Sequence, residues 1–244
     1  MIVPDQARAM WLWDESVRPA DVTAFAVAGR VDWVFLTVPW NGPTAATRSL
    51  AGALRGGGVR VSCLGSGADW ADVPDTAAVW VRRALAHGDF DGVHLDVEPW
   101  AEPDWPARAE RQLRGLTRAV EAVRATTALA VEVDLSAGVV ADFPELFAPV
   151  MRAASSVTLM AYRDRAPAIL GLSEAARRVA ASVGRPYRIG VDTRPSPDAH
   201  TTFSDDGRRV LERETTAVAD ALHRDPLFAG IAVQDFTGWR RLGP

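Results

Sequence analysis

Three ionisable side chains at alternate positions of one short segment are the residues best suited to chemistry in this chain. Residues 90–98 read Phe-Asp-Gly-Val-His-Leu-Asp-Val-Glu. In a β-strand, alternate side chains point to opposite faces, so His94, Asp96 and Glu98 share one face. Placing three such groups in an apolar core would be costly. The spacing therefore predicts a strand that lines a polar pocket, in which crowded carboxyl groups suit one of them to general acid catalysis.

Eight runs with the composition of β-strands alternate with helical patterns along the chain. The runs lie near residues 8–14, 31–39, 58–65, 90–98, 128–136, 156–164, 187–193 and 229–236. This alternation predicts an α/β fold, a (β/α)8 TIM barrel that forms a single compact domain over residues 1–244. The length is close to the roughly 250 residues typical of that barrel. An open doubly wound sheet is disfavoured because no glycine-rich phosphate turn follows the first run.

Helix ends are also predicted from capping residues. The longest helix is expected over about 105–126, and the last over about 205–223 with Ser204 as its cap. Asp75 and Ser173 stand where N-caps are expected, and Gly88 and Gly184 where helices should stop.

The alternation within each strand predicts which side chains fill the barrel interior. They are His94, Asp96 and Glu98 from strand 4; Glu132 and Asp134 from strand 5; Thr158, Met160, Tyr162 and Asp164 from strand 6; Arg188 and Asp192 from strand 7; and Gln234 from strand 8. Active sites of such barrels lie at the carboxyl ends of the strands. We therefore expect His94, Asp134, Asp164, Asp192 and Gln234 to contact substrate. The alternative for Asp96, Glu132 and Arg188 is a structural ion network low in the barrel.

Tryptophan is unusually frequent, with nine Trp against two Tyr. Trp40, Trp100 and Trp239 each come just after an apolar strand, where a flat ring can stack on a sugar face. We expect these three to bind substrate. Trp11, Trp33 and Trp80 are interpreted as core or helix-packing residues.

Composition excludes several classes of function. A net charge of −4 without a basic stripe argues against a nucleic-acid partner. No apolar stretch approaches the roughly 18 residues of a membrane span, so no membrane partner is expected. The first 16 residues lack the pattern of a signal peptide, and a single cysteine, Cys63, is compatible with a reducing compartment. These features predict a cytoplasmic protein that acts on a carbohydrate or small-molecule ligand.

Metal and thiol chemistry are the weaker alternatives. The oxygen-rich set on strands 4 to 6 has one imidazole and could in principle hold a divalent cation. However, neither a His-x-His pair nor a His-Glu-x-x-His segment is present. No metal and no cofactor are predicted. Cys63 is interpreted as a small buried apolar residue rather than a nucleophile.

Two segments resemble glycoside hydrolase family 18, the group of chitinases and endo-β-N-acetylglucosaminidases. Residues 91–98, Asp-Gly-Val-His-Leu-Asp-Val-Glu, are similar to that family's strand-4 signature, Asp-Gly-hydrophobic-Asp-x-Asp-x-Glu. Residues 159–162, Leu-Met-Ala-Tyr, resemble its Met-x-Tyr element on strand 6. Trp239 is similar in position to the tryptophan that floors the family's sugar site.

The resemblance implies a role for each matching residue. Glu98 would protonate the leaving glycosidic oxygen. Asp96 would orient the substrate's 2-acetamido group, whose carbonyl oxygen attacks the anomeric carbon in place of an enzyme nucleophile. Tyr162 would donate a hydrogen bond to the same group. The resulting prediction is a chitinase-like hydrolase, a glycosidase of carbohydrate metabolism with Glu98, Asp96 and Tyr162 as catalytic residues.

The chain departs from the family pattern at two places. His94 stands where the family has its first inward Asp, which puts the acetamido route in question. The short loop at 194–203 leaves no room for an inserted subdomain, so a short glycan or small glycoside is the expected substrate. A two-carboxylate mechanism with Asp192 or Asp164 opposite Glu98 stays open. The alternative function is a non-hydrolytic barrel that binds carbohydrate or performs other acid-base chemistry on a small metabolite.

Overall fold

Eight parallel β-strands close into a barrel in the computed structural model, which describes residues 7–243. The strands are β1 Arg8–Leu12, β2 Val31–Thr37, β3 Arg60–Ser66, β4 Gly92–Asp96, β5 Ala130–Ser136, β6 Ser156–Met160, β7 Tyr187–Asp192 and β8 Phe228–Gln234. Each strand pairs with the next in the chain, and β8 pairs with β1. This arrangement confirms the predicted (β/α)8 barrel.

Helices surround the barrel and connect successive strands. They are α1 Pro19–Ala28, α2 Ala45–Gly56, α3 Asp75–Ala84, α4 Trp105–Thr126, α5 Ala137–Asp142, α6 Pro144–Ala153, α7 Ala166–Ser182, α8 Arg208–Leu222 and α9 Phe236–Arg241. Short 3₁₀ turns at Ala68–Ala71, Pro99–Ala101 and Ala199–Thr201 follow the carboxyl ends of β3, β4 and β7. These ends form one face of the barrel, and the loops around it are the ones available to build a site.

The two faces of β4 illustrate how the sequence separates core from interior. Val93 and Leu95 are buried in the large apolar layer between the barrel and its helices. Fully burying a side chain of this size contributes roughly 1.5–3 kcal/mol. His94 and Asp96 point to the opposite face, into the barrel. The same alternation holds on β5, where Val131 and Val133 face the helices.

Helix ends match the sequence in part. Helix α4 has the predicted bounds, and Gly184 lies just beyond α7 at φ +64°, a left-handed conformation that suits glycine. The prediction of Ser173 as an N-cap was wrong. Helix α7 begins seven residues earlier, at Ala166, where Pro167 occupies the first turn, and the Ser173 hydroxyl donates to the Leu170 carbonyl at 3.2 Å.

Two other capping predictions also differ from the structure. Asp75 is the first residue of α3, and Pro74 holds the capping position. Helix α8 begins at Arg208 after Gly207, so Ser204 lies three residues before the cap and its side chain accepts no bond from the helix. Gly88 lies four residues beyond the end of α3, also with positive φ. Sequence patterns thus located these helices but placed some of their ends incorrectly.

Among residues 7–243, no helix is both long enough and apolar enough to cross a membrane. The prediction that the chain starts without a signal peptide concerns residues 1–16, and residues 1–6 of these lie outside the described part. It therefore stays a prediction, as does the cytoplasmic location.

Candidate active site

A buried ion pair fills the amino-terminal end of the barrel. Nε of Arg188 on β7 lies 3.2 Å from Oε1 of Glu132 on β5, and both side chains are almost completely buried. The hydroxyls of Ser156 and Thr158 also donate to Glu132. Burial alone would raise the pKa of Glu132, but the Arg188 charge and these hydrogen bonds lower it below its ordinary value. Glu132 and Arg188 thus form the structural ion network that the sequence analysis gave as an alternative. Asp96 is not part of this network.

An aromatic layer lies next along the barrel axis. The imidazole of His94 stacks on Phe35 with ring centroids 3.6 Å apart, and the edge of Trp11 meets it at 6.0 Å. Burial lowers the pKa of His94 to about 4, so the ring is neutral at physiological pH. Its side chain is fully enclosed. His94 thus has the environment of a packed core residue and lies below any surface that a substrate could reach.

Asp134 on β5 lies beside this layer. Its Oδ2 accepts a hydrogen bond from Trp11 Nε1 at 2.9 Å and lies 2.8 Å from His94 Nε2, out of line for a hydrogen bond with the ring nitrogen. Burial raises the pKa of Asp134 well above its ordinary value. Like His94, Asp134 is fully buried, so it does not reach a bound substrate directly.

Asp96 is the next acid toward the mouth of the barrel. Burial raises its pKa well above the ordinary range, and repulsion from Asp134 and Glu98 raises it further. Its Oδ1 has no hydrogen-bond partner among the described residues. The pKa of Tyr162 is also raised, first by burial and then by Asp134, Asp192 and Asp96. Burial thus favours the protonated form of both Asp96 and Asp134.

Glu98 lies at the mouth, two residues after the end of β4. Its Oε2 accepts a hydrogen bond from Trp100 Nε1 at 2.8 Å. Glu98, Trp100 and Tyr162 line an open cleft of about 400 Å³ at the carboxyl ends of β4, β5 and β6. The remaining cleft residues are Ser136, Gly138, Met160, Arg163, Leu172 and Thr201. This cleft holds a carboxyl group that a ligand can reach, two residues beyond the buried acid Asp96, and a carboxyl group so placed can give a proton to a bound ligand and recover it.

The other two predicted carboxylates are neutralised by neighbouring cations and do not line the cleft. Asp192, at the end of β7, forms a bidentate pair with Arg194, whose Nη2 lies 2.8 Å from Oδ2. Asp164 lies 3.5 Å from Arg165 and 3.4 Å from the imidazole of His200. Neither acid is placed as a free second carboxylate facing Glu98, which removes support for the two-carboxylate mechanism.

The structure brings only one of the three predicted ligand-stacking tryptophans, Trp100, to the cleft. Trp239 is 1% exposed in α9, with its ring 5.2 Å from Phe25 of α1, so it packs between helices and does not floor this cleft. Trp40 is 43% exposed but lies under the guanidinium of Arg83 on the outer side of the barrel. Both expectations came from position after a strand, and the following loop carries each ring away.

Several site residues were missed by the sequence reasoning. Trp11 on β1 and Trp13, the first residue after that strand, point to the barrel interior, and Trp13 Nε1 donates to the side chain of Gln234 at 3.3 Å. Gln234 is thus inside the barrel as predicted, bonded to an indole. Alternation alone did not assign these rings to the interior, because β1 carries buried apolar residues on both faces. Arg163 and Arg194 follow Tyr162 and Asp192 in loops, where no periodic pattern signals a role.

The part of the chain that the structure describes contains no group of three or more His, Cys, Asp or Glu side chains arranged to hold a metal ion. Cys63 on β3 is fully buried and packs in the outer apolar layer. Burial also raises the pKa of its thiol far above the ordinary value, as expected for a packing residue.

Comparison by sequence finds no match, either to a family model or to a curated protein. Comparison by structure finds a GH18 chitinase from Pseudoalteromonas aurantia at TM-score 0.70 and 10% identity, covering 95% of this chain and 94% of that one. An endo-β-N-acetylglucosaminidase from Cordyceps militaris matches at TM-score 0.61 and 16% identity, with coverage of 94% and 81%. The L-Ala-D/L-Glu epimerase from Bacillus subtilis matches at TM-score 0.53 and 14% identity, with coverage of 99% and 57%.

At these identities the likeness concerns the fold and not the activity. The barrel of this chain is similar over nearly its whole length to the barrels of a chitinase and an endo-β-N-acetylglucosaminidase, and less so to that of an epimerase. The chain therefore has a divergent TIM barrel like that of GH18 enzymes.

Proposed function

We propose that the protein is a glycoside hydrolase in which Glu98 is the general acid and base, acting on a short glycan or small glycoside. One observation carries this proposal. The Glu98 carboxyl group lies in an open cleft, oriented by Trp100 and directly beyond the buried acid Asp96. An accessible carboxyl group at the carboxyl end of a barrel strand is suitably placed to protonate a glycosidic oxygen.

Asp96 and Tyr162 are placed to orient the substrate. Both neighbour the Glu98 cleft, and Tyr162 forms part of its lining. A 2-acetamido group that enters between them would meet a phenol hydroxyl and a carboxyl group. Its carbonyl oxygen would then be held against the anomeric carbon, as in substrate-assisted hydrolysis. The isolation of Asp192 and Asp164 in pairs with cations supports this route over a carboxylate nucleophile.

The form of the cleft supports a small substrate. Its volume of about 400 Å³ lies toward the low end of the range for ligand pockets. The loop after β7 adds only a short turn at Ala199–Thr201, of which Thr201 reaches the cleft. No long walls extend the site across several sugar rings within the described residues.

Replacement of the acid tests the proposal. Glu98→Gln keeps the size of the side chain and is expected to lower the hydrolysis rate of aryl glycosides at least about 100-fold, a typical general-acid contribution. The control is Glu102→Gln, which changes an exposed glutamate four residues further on in the same loop. Full activity of Glu98→Gln would contradict the proposal.

A second function is favoured by one observation, the environment of His94. The family pattern has an aspartate at position 94. In this chain the position holds a neutral imidazole stacked on Phe35, so one carboxyl group fewer lies beneath Glu98. This supports a barrel that binds a carbohydrate or performs another acid-base reaction on a small metabolite. Saturable quenching of tryptophan fluorescence by a glycan, without hydrolysis of that glycan, would identify this case.

A further inference from the structure

We propose that Arg163 is a specificity residue that binds a carboxylate group of the substrate, so that the cleft accepts an acidic glycan. This inference rests on the proposed function, since it names the class of glycan that Glu98 would act on. Arg163 directly follows Tyr162 and lines the cleft together with Glu98. It therefore places a fixed positive charge next to the reacting group.

The guanidinium of Arg163 is held in place but is only partly used. Its Nη1 donates to the carbonyl oxygen of Tyr162 at 2.7 Å. Within residues 7–243 no carboxylate oxygen lies within 4.0 Å of the Arg163 side chain, and neither Nε nor Nη2 has a hydrogen-bond acceptor. The Nε–Nη2 edge of an arginine carries two parallel donors, and this pair matches the two oxygens of a carboxylate.

Neighbouring arginines at the same end of the barrel differ in this respect. Arg165 lies 2.9 Å from Asp206, and Arg194 forms a bidentate pair with Asp192. Their charges are satisfied within the protein. Glu98, the acid that shares the cleft, is bonded to Trp100 and not to Arg163. Among the described residues, 7–243, no acid pairs with the Arg163 guanidinium, and a cation without such a partner can recognise an anionic ligand.

The two free donors of Arg163 favour a sugar that carries a carboxylate, either on the ring itself or on an ether substituent. A neutral hydroxyl group would gain one weaker hydrogen bond from Arg163, whereas a carboxylate accepts two charge-assisted ones. A hydrogen bond to a charged group corresponds to about a 10- to 100-fold difference in affinity. We therefore expect Arg163 to distinguish acidic from neutral glycans by a factor of this size.

Binding measurements with two matched probes test the inference. The neutral probe is the tetramer of N-acetylglucosamine, and the acidic probe is the tetramer in which N-acetylglucosamine alternates with N-acetylmuramic acid. The probes differ in the lactyl ether groups of the acidic tetramer, each of which carries a carboxylate. Dissociation constants are measured by calorimetry in the Glu98→Gln background, so that no hydrolysis interferes. We expect the acidic probe to bind at least 10-fold more tightly, and Arg163→Gln to bring the ratio of the two constants close to one.

Arg165→Gln is the matched control. It removes the same charge two residues further along the chain, and the Arg165 guanidinium is already paired with Asp206. It is expected to keep the preference of the parent protein. Equal binding of the two probes, or a preference that survives in Arg163→Gln, would overturn the inference. The result is separate from the test of hydrolysis: a charge preference with no hydrolysis by the wild type contradicts only the proposed function. Hydrolysis that is lost in Glu98→Gln, together with equal binding of the probes, contradicts only the role of Arg163.

Discussion

The indole Nε1 of Trp100 donates a hydrogen bond of 2.8 Å to Oε2 of Glu98, two residues earlier in the chain. The Trp100 ring also packs against Phe147, with centroids 5.8 Å apart, so the donor has a fixed position. The bond restricts the rotamers of Glu98 at the mouth of the barrel. It thereby holds one carboxyl oxygen of Glu98 in place at the cleft.

Loss of this donor should slow the reaction without unfolding the site. Trp100→Phe keeps an aromatic ring but removes the hydrogen bond, and we expect kcat for aryl glycosides to fall about 10-fold with little change in KM. Trp80→Phe is the matched control, because its Nε1 donates to the Val38 carbonyl on the outer side of the barrel. That variant should lose about 1 kcal/mol of stability and retain kcat. Equal kcat values in Trp100→Phe and wild type would show that the bond does not position the acid.

The Glu132–Arg188 pair is expected to contribute to stability and not to catalysis. Glu132→Gln leaves the Arg188 charge buried without its partner, and we expect a loss of about 3–5 kcal/mol in the free energy of unfolding by urea. The exposed pair Glu110–Arg114 on α4 offers a control, since Glu110→Gln should cost no more than about 0.5 kcal/mol. A Glu132→Gln protein as stable as the control would disprove the structural role.

His94 should make the protein less stable in acid. Its pKa is lowered from 6.5 to about 4 in the folded state, so its contribution is complete above pH 6.5 and is lost as the pH falls toward 4. Over this window the difference in unfolding free energy between wild type and His94→Gln should change by about 3 kcal/mol at most. The measurement is urea unfolding at several pH values, with His87→Gln as an exposed control. If the difference in unfolding free energy stays constant between pH 4 and pH 6.5, the pKa of His94 is not lowered in the folded protein.

Asp134 should have the opposite effect. Its pKa in the folded state is raised by burial, so its contribution is complete below the unfolded value of 3.8 and is lost as the pH rises through the raised value. Asp134→Asn removes this titration and should therefore gain stability relative to wild type as the pH increases. Asp142→Asn, an exposed change in α5, should follow the wild-type profile in thermal melts. If the stability of Asp134→Asn follows the wild-type pH profile as well, burial does not raise the pKa of Asp134 in the folded protein.

Period-two alternation predicted the interior of β4, β5 and β7 because in these strands apolar and ionisable residues occupy opposite faces. The clearest case is β4, in which Val93 and Leu95 face the helices whereas His94 and Asp96 face the barrel interior. The same rule gave no answer for β1, since Met10, Trp11 and Leu12 are all apolar and both faces are buried. The aromatic layer that encloses His94 was therefore missed.

Contacts made by loops were beyond the reach of the sequence pattern. Pairing of Asp192 with Arg194 depends on the turn after β7, and the burial of Trp239 depends on α9 packing against Phe25 of α1. Neither follows from residue spacing. The sequence therefore predicted the strand that leads to Glu98, whereas the loops decide which of the surrounding residues can contact a ligand.

The role of Glu98 as general acid is tested most directly by how its loss depends on the leaving group. We would compare kcat/KM of wild type and Glu98→Gln for aryl glycosides whose leaving phenols differ in acidity. A poorly acidic phenol needs a proton from the enzyme, whereas a dinitrophenol leaves without one. If Glu98 is the general acid, we expect a loss of at least about 100-fold for the phenyl glycoside and a much smaller loss for the dinitrophenyl glycoside. The same loss for every leaving group, or no loss at all, would contradict that role.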